Sequence, residues 1–487
     1  MLDLSNLGQY RENNRLEAKK AQGGLPHSIW ETYSAFANTF GGYILLGVIE
    51  NADKSFSSVP LPDPERLAAD FWACVNDRAV TSTNILTKDD IQILESGGNP
   101  IVVIAVPRAN RHHKPVYIGM DPFSGTYRRS GEGDYRCTKE EVLAMMRDQA
   151  DAPRDARVLG TMTLDTLDMD TVLRYRQRMA QLHTDQDLAD LPAADFLQRV
   201  GAMARDSQGV LRPTAAGLLM FGREAEISRE FPHYLLDYRE YAKPAAAARR
   251  WRYRLASRAG DWSGNLCDFY FLVSRRIGQD LALPLSTDGT DSPDDALLQR
   301  ALQEALANAL IHADYDNRGG LMVEKWPDLI RMTNPGALRV DAQQALSGGI
   351  SDPRNASLIQ MFHRIRASTH TGSGLPGIRS VWQRLYWTAP QLTESFGPDQ
   401  TTLLLPFKQE GGGAAYQSRP RSSPTAERRK ADILQYLTDT PQAGTAQIAQ
   451  AIGLCPSRTR AYLAALAAEG AVVAVGAGRA RAYRLKA

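Results

Sequence analysis

The stretch SAFANTFGGYILLGVIEN, Ser34–Asn51, decides the fold of the first part of this chain. Helical periodicity runs over His27–Thr39, Gly41-Gly42 interrupts it, and YILLGVIE is a continuous apolar run of strand type. Downstream, IQILES and IVVIAVP are two apolar runs separated by a Gly-Gly-Asn-Pro turn, the pattern of a hairpin. The stretch TKEEVLAMMRDQ then reads as a helix opened by a capping box from Thr138 to Glu141. The first unit is therefore mixed α and β.

At 487 residues the chain is too long for one ordinary core and asks for several domains. With 43% hydrophobic and 23% charged residues, it has the composition of folded globular protein. A formal charge of +2 excludes a strongly basic coat protein, so any nucleic-acid contact must be local. The cysteines Cys74, Cys137, Cys267 and Cys455 lack paired spacing, which argues against a zinc ribbon and against a disulfide framework. No stretch has signal-peptide or membrane-span character, so a cytoplasmic protein with no membrane partner is expected.

Seams fall at DAPRD (Asp151–Asp155), at STDGTDSPD (Ser286–Asp294), and at the Gly, Ser, Pro and Arg-rich stretch Lys408–Lys430. They divide the chain into units at 1–150, 151–290, 291–408 and 428–487, with 409–427 a flexible linker. The expected class is a multidomain α+β protein: an α/β domain, an α/β connector, an α/β sandwich and a winged helix-turn-helix.

Glu12 and Glu17 lie in YRENNRLEAKK, and Glu50 ends the strand-like run. If the first segment packs beside that strand, the three carboxylates converge. Such a cluster repels itself unless a cation neutralises it, and oxygen-rich sites suit magnesium or manganese for phosphodiester cleavage. Lys19 and Lys20 could then hold a phosphate. The same spacing also describes a solvated charged segment and an acidic strand end.

Glu12, Glu17-Ala18-Lys19 and the Ser34–Asn51 string together resemble the Schlafen AlbA-type domain. The resemblance implies a metal-dependent endonuclease site at Glu12, Glu17 and Glu50, with Lys19 beside it, cutting RNA in preference to DNA. Ala18 stands where the family has an aromatic residue, and Glu50-Asn51 stands where it has an acidic pair. The resemblance continues through TYRRSGEGDYRCTKEEV, where Arg128 and Arg129 either touch phosphates or belong to a solvated hairpin.

In RRWRYRLASR, period-two alternation puts Arg250, Arg252 and Arg254 on one strand face and Trp251, Tyr253 and Leu255 on the other. Arg250 and Arg252 are candidates to track a nucleic-acid backbone; the competing role is a charged guard on an edge strand.

LLQRALQEALANALIHADY (Leu297–Tyr315) is a strong helix with Glu304 and Asn308 one turn apart. An amide oxygen there can coordinate magnesium on nucleotide phosphates, while the carboxylate orients a water. The strand LMVEKWPDLIRMTN, the turn Asn334-Pro335-Gly336 and the loop Thr371–Leu375 at a helix start follow, an arrangement suited to cradling phosphates. In order and wording this segment resembles the divergent GHKL (Bergerat) ATP-binding domain. The resemblance implies ATP as cofactor, Glu304 as water-orienting base, Asn308 as magnesium ligand, Asn334 and Gly336 on the adenine side, and Gly372 and Gly374 at the phosphates. The adenine motif is reduced to NPGAL, and Thr369 replaces the acid usually found before the glycine loop, so nucleotide binding is expected ahead of fast hydrolysis.

Finally, AERRKADILQYL, TAQIAQAIG and SRTRAYLAALAAEG followed by AVVAVGAGRARAYRLK describe a winged helix-turn-helix. Ser457 caps its second helix, Leu463 and Leu466 face inward, and Arg458, Arg460 and Tyr462, with Arg479 and Arg481 at the wing, are placed for DNA. Two functions fit: an RNA-preferring endonuclease controlled by nucleotide, suited to anti-phage defence, and an ATP-sensing DNA-binding transcription regulator without nuclease activity. In either case the partner is RNA or double-stranded DNA, and a homo-oligomer is expected.

Overall fold

The computed structural model describes residues 7, 9–182, 188, 190–244, 250–279, 281, 293–368, 372–385, 387–407, 424–452, 459, 462–463, 466–467, 471–475 and 482–486. The chain divides into two compact units, Met1–Gln279 with Asp291–Tyr416, and Asp280–Thr290 with Gln417–Ala487. Among the described residues no helix is long and apolar enough to cross a membrane.

The helix Ile29–Asn38 is buried along almost its whole length. It ends where Gly41 takes a φ of 71°, a conformation that disfavours any side chain. A Cβ at Gly41 would stand 2.7 Å from Val106 O, and one at Gly42 would stand 2.8 Å from Arg15 O, so the glycine pair lets three backbones meet. Leu16–Lys19 pairs parallel with Gly42–Leu46, which pairs antiparallel with Asn99–Val106. Ile91–Ser96 completes a four-stranded sheet through the expected hairpin, turned at Gly97-Gly98. One face buries Tyr33, Phe36, Ile44 and Phe71, with Trp30 stacked on Phe71 at 5.1 Å. The other buries Leu16, Leu45, Val48 and Phe56, so polar groups at the strand ends lie close to apolar layers. The capping box forms as the sequence indicates: the Glu141 amide donates to Thr138 Oγ1 at 3.3 Å and the Thr138 amide to Glu141 Oε2 at 2.7 Å.

The middle of the chain builds on the fully buried helix Ala215–Phe221, capped by Thr214, whose Oγ1 accepts from the Gly217 amide at 3.0 Å. Met203–Arg205 and Leu211–Pro213 pair as a small two-stranded sheet, but the other strands of this region join a larger one. Trp251–Ala256 and Leu236–Tyr241 continue into Leu321–Lys325, Leu329–Pro335, Gln400–Pro406 and Gln391–Ser395, one six-stranded sheet. The boundary drawn at residue 290 therefore cuts a continuous sheet. Its physical origin is the parallel pairing of Leu236–Tyr241 with Leu321–Lys325, which satisfies backbone groups that a separate sandwich would leave on an open edge. The run LMVEKWPDLIRMTN is likewise two strands, turned at Trp326–Asp328, where the Trp326 amide donates to Leu329 O at 2.8 Å. The helix Pro293–His312 packs on this sheet with Leu302, Leu306 and Leu310 fully buried.

In the second unit, helices Pro424–Asp439 and Thr445–Ala451 accompany a three-stranded sheet of Ala443–Gly444, Ala482–Leu485 and Val472–Val475. Ile433, Leu437, Ile448, Leu463 and Leu466 form its core, with the last two pointing inward as expected.

Candidate functional site: a cavity and a carboxylate cluster

The helix Pro293–His312 carries Glu304, Asn308 and His312 one turn apart, and all three line a single cavity of about 1120 Å³ including its mouth. The sheet contributes Met332, Asn334 and Leu403, and the loop before the helix Gly374–Arg384 contributes Gly372. Of the residues assigned to nucleotide, Glu304, Asn308, Asn334, Gly372 and Gly374 lie together here. Gly336 does not. It lines a smaller cavity behind, because its φ of 102° turns the chain away and its amide donates to Asp399 O at 2.8 Å.

Gly374 brings the helix start up against the facing helix. A Cβ there would meet Glu304 Oε1 at 2.5 Å and Asn308 Nδ2 at 2.8 Å, so the bare backbone of the helix start rests against those two side chains. The cavity is polar at that end and apolar where Met332, Leu392 and Leu403 line it. An amide oxygen, a carboxylate and a helix start at one end, with an apolar wall at the other, fit a nucleotide whose phosphates lie at the helix and whose base lies on the sheet.

Sequence reasoning missed the cations at this site. Arg339 and Arg354 line the cavity, and both grip Asp148, at the end of the helix Lys139–Asp148, at 2.9 and 2.7 Å. Burial pushes the Asp148 carboxyl up, and the Arg354 and Arg339 guanidiniums more than reverse this, holding it well below the usual carboxylate range. Burial, followed by the same two arginines, pushes His312 down to about 4. Arg108 pairs with Glu394 and donates to Leu338 O at 2.6 Å, while Arg111 holds Asp352 at 2.6 Å. The one available signal was the basic run PRANRHHK, which reads as surface until its partners are known.

The carboxylates do approach one another. Glu17 sits on Leu16–Lys19, and Glu12 accepts from the Ala18 amide at 3.2 Å. Burial first, then the Glu17 charge and, more weakly, that of Glu50, raise the Glu12 carboxyl. Glu17, however, is buried with both oxygens engaged, Oε1 by Lys19 at 2.7 Å and Oε2 by Arg129 at 2.6 Å. Glu50 pairs with Lys54 at 3.3 Å. Among the described residues no group of three or more His, Cys, Asp or Glu side chains is placed to hold a metal. As arranged, Glu12, Glu17 and Glu50 do not fit the magnesium or manganese expected of them, because the cluster is neutralised by cations of its own chain, Lys19 among them.

The basic candidates are corrected in the same way. Arg128 is buried in a bidentate pair with Asp399, its ring-facing side 4.9 Å from Phe396, and Arg129 is 3% exposed between Glu17 and Asp134. Neither is presented to a nucleic-acid backbone. Arg250 is exposed, and Arg252 is exposed but leans on Glu240 at 3.4 Å. Arg254 is turned to Asp237 at 2.8 Å. Tyr462 is half-buried against the core of its unit rather than standing free. Ser457, Arg458, Arg460, Arg479 and Arg481 lie outside the described residues.

The family model "Schlafen, AlbA_2" matches residues 10–138, the span that holds the four-stranded sheet and the carboxylates. The chain carries a Schlafen AlbA_2 domain. Beyond this domain, residues 143–237 match a domain of unknown function, DUF8451. Residues 319–404 match the HATPase_c_4 model, described as "Putative ATP-dependent DNA helicase recG C-terminal", and 428–476 match the IclR helix-turn-helix domain. The order AlbA_2, ATPase-like, helix-turn-helix is that of the architecture resembled. Two solved structures are similar to this Schlafen AlbA_2 protein. The DIP2311 protein from Corynebacterium diphtheriae is 16% identical over 97% of this chain and 95% of its own, with a TM-score of 0.40. The N-terminal domain of a RecG-related protein from Nitrosomonas europaea is 32% identical over 28% of this chain and 95% of its own, with a TM-score of 0.23. No curated protein matches.

Proposed function

We propose that this chain is a nucleic-acid-binding protein whose hold on RNA or double-stranded DNA is set by ATP in the cavity between the helix Pro293–His312 and the sheet. The observation that carries this reading is that Glu304, Asn308, Asn334, Gly372 and Gly374, scattered over some seventy positions of sequence, line one cavity. The AlbA_2 and helix-turn-helix domains support nucleic acid as the partner. A bound nucleotide would supply charge and shape rather than fast hydrolysis. Asn308 would offer its amide oxygen toward the phosphates, Glu304 would orient a water, and Gly374 would present backbone amides. Arg339 and Arg354 tie that cavity to Asp148, at the end of the helix that follows the AlbA_2 match, so a phosphate that competes with Asp148 for them would loosen or shift that helix.

A second reading, metal-dependent cleavage of RNA at Glu12, Glu17 and Glu50, is supported by the nearness of these carboxylates: burial first, then the Glu17 and Glu50 charges, raise the Glu12 carboxyl. It requires Glu17 to be released from Lys19 and Arg129. Phage defence would be the setting of such an activity. Incubating the full chain with transfer RNA, single-stranded and duplex DNA, with manganese or magnesium and with and without ATP, separates the readings. Binding without cutting is expected. Metal-dependent cutting abolished by Glu17→Gln would establish the nuclease, and failure of ATP to bind or to change nucleic-acid affinity would overturn the first reading.

A further inference from the structure

Behind the nucleotide cavity, and sharing Ala337, Leu338, Arg339 and Arg354 with it, lies a second cavity of about 520 Å³ between the AlbA_2 domain and the six-stranded sheet. Six cationic side chains line it, Arg108, Arg111, Lys114, Arg128, Arg339 and Arg354, against three carboxylates. Asp148 is consumed by Arg339 and Arg354, and Asp399 by Arg128. Burial raises the third, Asp314, toward its neutral form, and its cation, Arg147, stands 3.8 Å away. Arg108 and Arg111 are balanced by Glu394 and Asp352 from outside the cavity lining.

That leaves Lys114. The residue is half-buried, but its ammonium is the enclosed end. It donates to Asn38 O at 2.9 Å and has no carboxylate within ion-pair distance among the described residues. An ammonium has three donors and pays heavily for burial unless an anion faces it. Burial, then Arg108 and Arg128, push its proton affinity well down, with Glu394 and Asp399 too weak to restore it. Two guanidinium donors of the same lining, Arg128 Nε and Arg339 Nε, are also buried with no hydrogen-bond partner. Buried unsatisfied donors in one cavity ask for a missing acceptor.

From this cavity, the uncompensated Lys114 ammonium and the two unpartnered guanidinium donors, we infer a binding site for a small tetrahedral oxyanion of the phosphate class, separate from the nucleotide site. Phosphate offers enough acceptor oxygens to face Lys114, Arg128 and Arg339 together, and its negative charge balances the Lys114 ammonium, which has no ion pair among the described residues. The inference does not rest on nucleotide binding, because Lys114 and Arg128 line this cavity and not the first, and only Arg339 is shared.

The probe is inorganic phosphate, titrated calorimetrically into the full chain with chloride holding the ionic strength constant, beside a thermal melt. Saturable binding and a rise in Tm of about 2–4 °C at saturation are expected. Lys114→Met should weaken binding at least tenfold, Lys114→Arg should restore most of it, and Asn308→Ala should leave it in place. In the wild-type chain, saturating non-hydrolysable ATP analogue should leave phosphate binding intact, a readout that survives any folding defect of the variants. No saturable phosphate binding would overturn the site. Complete displacement by the analogue, or loss in Asn308→Ala with retention in Lys114→Met, would assign the phosphate to the nucleotide cavity and overturn it equally.

Discussion

The carboxylate cluster and the cavity proposed for nucleotide are both built from acids and cations, yet they hold their charges in opposite ways. At Glu17 the protein has already supplied its counter-ions, Lys19 and Arg129, within 2.7 Å, so the site is closed to a metal as it stands. At the cavity, Glu304 and Asn308 line the space with the Gly374 backbone packed against them, and the arginines along the wall are held by Asp148. A cluster of acids in sequence therefore says little about whether a metal is held; what matters is whether the neighbouring arginines are spent internally.

The cavity wall is the place to break the comparison hardest. Asp148→Ala leaves Arg339 and Arg354 buried without their shared anion and should cost about 3–5 kcal/mol, read by denaturant unfolding. The same pair sets an acid limit. Because the folded Asp148 carboxyl lies below its usual 3.8, its stabilisation is complete above about pH 4 and fades as pH falls through the folded value. His312 acts higher. Its folded value near 4 lies under the usual 6.5, so the unfolded chain takes up the proton more readily and stability falls as pH drops from about 6.5 toward 4. Unfolding midpoints measured from pH 8 to pH 4 should lose that upper slope in His312→Asn.

Next in size is Gly374→Ala. Its Cβ would collide with Glu304 and Asn308, so ATP affinity should fall at least tenfold, or about 1.4 kcal/mol, while the midpoint of unfolding changes little. Calorimetry with ATP checks it, and wild-type affinity would remove the helix start from the phosphate site.

The smallest expected effect sharpens the nucleic-acid side. Replacing both Arg250 and Arg252 with serine should weaken binding only modestly and flatten its dependence on salt, because Arg252 is already shared with Glu240. An unchanged salt slope would leave these arginines as guards of the edge strand.

How much of this was legible in sequence follows from which contacts are local. The Gly41-Gly42 break, the hairpin of Ile91–Val106 and the Thr138–Glu141 box are written within a few residues of one another, and they formed as read. Glu304 and Asn308 were legible as one face of a helix. The pairing of Leu236–Tyr241 with Leu321–Lys325 joins segments some eighty residues apart, and no local pattern names a strand's neighbour. Arg128 was misread for the same reason. Its anion, Asp399, is 271 positions away, so a buried ion pair looked like a free basic hairpin.

The most direct test of nucleotide control is the affinity of the full chain for labelled duplex DNA and for transfer RNA, measured by anisotropy with and without ATP and magnesium, in the wild type and in Asn308→Ala. ATP should shift the wild-type Kd for at least one of these partners by about fivefold or more and leave Asn308→Ala unmoved. Equal Kd values with and without ATP for both partners, in a protein shown by calorimetry to bind it, would contradict the account.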